Sequence, residues 1–107
     1  MIKPWNIFTQ SQIKKINTDP IIQAEMLYFL KGYKMYLFSE YLNTTASLSR
    51  ARLFNNTNFA KIEMINTYTK EIINLLNNLT LHESSNDLHS MLKKEYQELN
   101  EKTKLKH

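Results

Sequence analysis

The stretch from Pro20 to Leu42, PIIQAEMLYFLKGYKMYLFSEYL, constrains the fold more than any other. Asp19-Pro20 is a helix start. Proline at the first helical position gives up only an N–H that would be unpaired anyway, and Asp is a strong N-cap. From there Ile22, Met26, Leu30, Tyr33, Leu37 and Tyr41 recur at spacings of three and four, one face of a helix. Leu27, Phe29 and Tyr36 lie off that face, so the apolar surface is wider than one stripe. Such a helix is either central in a bundle or a membrane span. Glu25, Lys31, Lys34 and Glu40 interrupt it too often for a span.

Tyr28, Phe29, Tyr33, Tyr36, Phe38 and Tyr41 make this segment rich in aromatic residues. Most are expected in the core, with hydroxyls at its rim. Exposed tyrosines also mark interfaces, which makes Tyr28, Tyr36 and Tyr41 the candidate protein-binding residues. Gly32 is the single glycine. In mid-helix it costs about 1 kcal/mol relative to Ala, and a close helix crossing would account for it.

The rest of the chain supplies partners for this helix. Residues 1–8 read as an arm pinned by Trp5, Ile7 and Phe8. Thr9 with Gln12, and Phe8 with Ile13, fit a capping box and a staple for a short helix over about 10–17. Asn43-Thr44-Thr45 reads as a break, followed by a short helix from Ala46 to Phe54. The run Asn55-Asn56-Thr57-Asn58 ends that helix, and Asn58 caps a second long one from Phe59 to Leu79. Along it Ile62, Ile65, Thr69, Ile72, Leu76 and Leu79 alternate at three and four, a heptad seam with Thr69 as its polar member. This seam could pair within the chain or across a dimer. Ser84 with Asp87 fits a cap for a last helix bearing Leu88, Leu92, Tyr96 and Leu99, after which residues 101–107 are expected to fray.

Valine is absent and glycine nearly so, which argues against strands and hairpins. The expectation is a single all-α domain over 1–107: a small helical bundle with two long antiparallel helices, a C-terminal helix and two short helices. Its expected core is Ile22, Met26, Leu30, Tyr33, Leu37, Ile62, Ile65, Ile72, Leu76, Leu88 and Leu92.

The chemistry-bearing residues are sparse. There is no cysteine, hence no thiolate, and a reducing, cytoplasmic setting is the expectation. The start MIKPWNIFTQSQ has no apolar run of signal-peptide length. His82, Glu83 and His89 match no zinc spacing, and both histidines are expected to be exposed. Glu25, Glu40, Glu63 and Glu71 lack the histidine partners of a carboxylate-bridged metal site, so salt bridges to lysines or Arg50 are their expected use. No glycine-rich turn is present to hold phosphate. No enzyme, no metal and no cofactor is expected.

The net charge of +4 permits nucleic acid without demanding it. The segment EYLNTTASLSRARLF reads as helix, break, helix. It resembles a helix-turn-helix, and specifically a stretch of LysR-type regulators with Leu-Ser-Arg in the recognition helix. The resemblance implies DNA contacts from Ser47, Ser49, Arg50 and Arg52, helped by Lys14 and Lys15. It covers only about twelve residues, has one position too few between Leu42 and Leu48, and lacks a wing. The principal expectation is therefore a non-catalytic protein–protein interaction module of a bacterial or phage accessory, immunity, inhibitor or chaperone type. Its partner would be another protein or a second copy in a homodimer. A small DNA-binding regulator using residues 40–54 is the alternative.

Overall fold

A computed structural model describes residues 10–51 and 56–104, with side chains over 13–46 and 58–104. Among these residues there are four α-helices and no strand: α1 (Gln10–Thr18), α2 (Pro20–Ala51), α3 (Asn56–Asn77) and α4 (Asn86–Lys102), with a 3₁₀ turn at Glu83–Ser85. The long helices α2 and α3 form an antiparallel hairpin. α4 packs on both and runs parallel to α2, and α1 docks at the start of α2. At about 1.5 Å per residue α2 is about 48 Å long, essentially the long dimension of the 50 × 25 × 22 Å molecule.

The start of α2 is as the sequence dictates. The Asp19 carboxylate accepts the Ile21 N–H at 2.9 Å and the Ile22 N–H at 3.4 Å. Pro20 has no N–H to give the Ile16 carbonyl one turn back. The Gln23 amide gives that hydrogen bond instead, at 3.2 Å. It also donates to the Thr80 carbonyl at 2.9 Å and accepts the His82 N–H at 3.0 Å. The Thr80 N–H is taken by the Asn17 side chain at 3.1 Å. One fully buried glutamine thus ties the α1–α2 kink to the α3–α4 connection.

The core fills the space between α2, α3 and α4. Met26, Leu27, Leu30, Leu37, Ile65, Ile72, Leu76, Leu92, Tyr96 and Leu99 are buried, with Ile16 closing one end. Ile22, Tyr33, Leu79 and Leu88 are only partly buried against it. Thr69, the polar member of the α3 seam, is also fully buried. It accepts from Asn100 at 3.1 Å, while Asn66 and Asn100 each donate to the other's carbonyl at 2.9 and 3.1 Å. A polar cross-link between α3 and α4 therefore replaces an apolar layer. The Tyr96 hydroxyl, from α4, donates to the Leu30 carbonyl of α2.

Several expectations are corrected. There is no break at 43–45: α2 continues, and the short helix from Ala46 is its last part. Thr44 and Thr45 return their hydroxyls to the Glu40 and Tyr41 carbonyls at 2.7 and 3.1 Å, which lets both residues sit inside a helix. The rest of the expected short helix, and the arm at 1–8 with its cap and staple, lie outside the described residues. α3 starts at Asn56 rather than at a cap on Asn58, since Asn and Thr suit a first turn. Ser85, not Ser84, precedes α4, and it makes no side-chain cap. α4 runs to Lys102, and Thr103 after it is buried and donates to the Leu99 carbonyl at 2.9 Å; residues 105–107 of the expected frayed tail lie outside the described residues. Gly32 marks no crossing among the described residues, because a Cβ built on it would meet nothing within 4 Å.

Candidate protein-binding face

Two seven-residue series run along α2. Gln23, Leu30, Leu37 and Thr44 are all buried and face α3 and α4. Ile21, Tyr28, Met35 and Leu42 come two residues earlier, some 200° round the helix, and face away. They are 70%, 65%, 65% and 49% exposed. Between them, four residues on each time, come Glu25, Gly32, Ser39 and Ala46, all exposed. Phe29 and Tyr36, at 46% and 44%, widen one edge of this stripe. They are held upright by the half-buried Tyr33, whose ring lies 6.3 Å from Phe29 and 5.8 Å from Tyr36. The Tyr33 hydroxyl is pushed up to about 12 by burial, with Tyr68 and Tyr36 adding to the effect. It is therefore a neutral spacer at physiological pH.

The expected binding tyrosines divide. Tyr28 lies in the centre of the outer stripe and Tyr36 on its edge. Tyr41 is half-buried toward the core, its ring 6.4 Å from that of Phe38. Phe38 in turn lies under the ammonium groups of Lys34 and Lys102, each 5.2 Å from its centre. Sequence reading missed Ile21, Met35 and Leu42, although their seven-residue spacing with Tyr28 was there to be read. Apolar residues on both sides of α2 blur any single stripe.

The described basic candidates lie toward opposite ends of α2. Lys14 and Lys15 are exposed on α1, beside the start of α2. Ser47, Ser49 and Arg50 belong to the last turns of α2, about 45 Å along the helix from Pro20; their side chains and all of Arg52 lie outside the described residues. The turn that a helix-turn-helix needs at 43–45 is continuous helix.

One histidine is used structurally. His89 is buried, not exposed, and its ring donates from Nε2 to the Leu76 carbonyl at 2.7 Å, near the end of α3. His82 is half-buried. No group of three His, Cys, Asp or Glu side chains that could hold a metal ion occurs among the described residues. Glu40 pairs with Lys61 of α3 at 2.8 Å, while the Arg50 side chain lies outside the described residues. A shallow depression of about 420 Å³ on α4 is lined by Lys94, Gln97, Glu98, Glu101 and Lys102, none of them a nucleophile set beside a base. No described helix is long and apolar enough to cross a membrane. No protein-family model, no curated protein and no solved structure matches the chain.

Proposed function

We propose that the protein is a non-catalytic protein-binding module working through the outer face of α2, of the kind used by bacterial or phage accessory, immunity, inhibitor or chaperone proteins. One observation carries the reading: Ile21, Tyr28, Met35 and Leu42, with Phe29 and Tyr36, form an exposed and mostly apolar stripe along the longest helix, interrupted by Glu25 and Ser39. Their exposed fractions amount to roughly 700 Å² of residue surface, above the roughly 300–600 Å² of the largest apolar patch on an ordinary monomer. Isolated exposed apolar residues need no explanation, but a run over three heptads of one rigid helix is the anchor pattern by which a helix recognises a groove or another helix.

The test is differential capture with tagged chains, wild type against Tyr28→Glu/Met35→Glu. Both positions are exposed, so the double variant keeps its fold, checked by its helical circular dichroism. The reading predicts at least one protein, an untagged copy of the chain included, retained by the wild type and lost by the variant. Identical sets retained by both would overturn it.

A further inference from the structure

The outer stripe is complementary to itself. Its eight positions alternate large and small: Ile21, Glu25, Tyr28, Gly32, Met35, Ser39, Leu42, Ala46, at spacings of four and three. This is the a/d pattern of a coiled-coil seam, with Ile21, Tyr28, Met35 and Leu42 in one position and smaller or polar residues in the other. A parallel pair would set Tyr28 on Tyr28 and Met35 on Met35, and leave Gly32 facing Gly32 across a gap. An antiparallel pair with its two-fold axis between Tyr33 and Lys34 gives a different result. Ile21 then meets Ala46 of the second copy, Tyr28 meets Ser39, Met35 meets Gly32 and Leu42 meets Glu25, and each meeting occurs twice. Three of these four layers seat a large apolar knob on a small residue. Phe29 and Tyr36, on the edge of the stripe, meet each other across the axis.

From this we infer that the occupant of the α2 face is a second copy of this chain, docked as an antiparallel, two-fold symmetric helix pair. The inference rests on the reading of that face as protein-binding and names its partner. Two further observations support it. The first is Gly32, which lowers helix propensity and has open space where a Cβ would stand, so no contact within the described chain requires it. It leaves room for a knob from the second copy's Met35. The second is area: the six stripe residues expose roughly 700 Å² of residue surface per copy, close to the about 800 Å² per partner that a stable interface buries. Glu25 is the single charge in the seam, at its end, so desolvation of charge opposes the pairing only there.

The experiment is sedimentation velocity on the full chain over a concentration series, for the wild type and Tyr28→Glu/Met35→Glu. It is joined to disulfide trapping in this cysteine-free chain. The expected result is a wild-type dimer in the micromolar range, with association weakened on the order of 100-fold or more in the variant. Tyr28→Cys/Ser39→Cys should oxidise to a covalent dimer, while Tyr28→Cys/Leu42→Cys, on the same stripe but out of register, should not. A wild type that stays monomeric, a dimer that survives the double Glu variant, or equal trapping by both cysteine pairs overturns the inference. Loss of a different captured protein in the Glu variant, with no dimer, would remove the second copy yet leave the protein-binding face standing. No dimer and no difference in capture would remove both.

Discussion

Replacing Gly32 with alanine should act in opposite directions on the free chain and on the pair. In the free chain Gly32 is an exposed helical position with nothing within 4 Å of a new Cβ, so Ala costs no contact. The gain is the difference in helix propensity, about 1 kcal/mol, which for a domain of this size raises the midpoint of thermal unfolding by roughly 4 °C. In the pair the same methyl lies beneath the second copy's Met35, and the two-fold axis repeats the conflict. Overpacking costs about 1–3 kcal/mol per site, so association should weaken by at least about tenfold. Melting curves followed by circular dichroism at low-micromolar and at several-hundred-micromolar chain separate the two effects. The variant should melt above the wild type when dilute and gain less on concentration, so that the advantage shrinks or reverses. A variant less stable than wild type when dilute would mean that Gly32 is packed within the chain. Curves that rise in parallel would mean that nothing docks on it.

Other consequences concern the bundle itself. Gln23→Leu leaves the Ile16 and Thr80 carbonyls and the His82 N–H without their partner and should cost about 3 kcal/mol or more in urea unfolding; a loss under 1 kcal/mol would show that water replaces the amide. Tyr96→Phe removes the hydroxyl from the Leu30 carbonyl, which keeps its helical N–H, and should cost only about 1 kcal/mol, whereas Tyr96→Ala opens the core and should cost about 3–5 kcal/mol. Thr45→Pro, inside continuous α2, should cost about 3 kcal/mol; a neutral result would restore a turn at 43–45. Burial raises the hydroxyl pKa of Tyr33, to about 12, and of Tyr96. Both groups are neutral in the folded state where an unfolded chain would ionise them. Their contribution is therefore fully present below pH 10 and is lost as pH rises from about 10 through about 12. Parallel titration of tyrosinate absorbance and helicity should show this, and all tyrosines ionising near 10 with helicity intact would refute it.

The fold was legible where local chemistry and periodicity agree. Asp19-Pro20 marks a start that the Asp19 carboxylate caps, and the seam from Ile62 to Leu76 is buried throughout. It was illegible where a side chain takes a backbone role. Asn43-Thr44-Thr45 looks like a break because these residues favour turns, yet the two threonines return their hydroxyls to the preceding turn and the helix goes on. Gln23 reads as a surface residue until Pro20 frees the carbonyl that it takes up. Thr69 gains its reason only when Asn100 arrives from α4. The candidate face was half legible. Tyr28 and Tyr36 stood out as aromatic residues, and the seven-residue spacing of Tyr28 with Ile21, Met35 and Leu42 is in the sequence, but that this series faces outward follows only from the burial of the opposite one.

The outer face of α2 has its own reporter. Met35 is 65% exposed on that face, whereas Met64 and Met91 are 37% and 38% exposed elsewhere and Met26 is buried. Mild peroxide oxidation, read by mass spectrometry over a concentration series of the chain, compares them within one molecule. The account predicts that Met35 oxidises fastest when dilute and slows as the chain is concentrated, while Met64 and Met91 hold their rates. A rate for Met35 that stays in constant ratio to Met64 and Met91 at every concentration would contradict it.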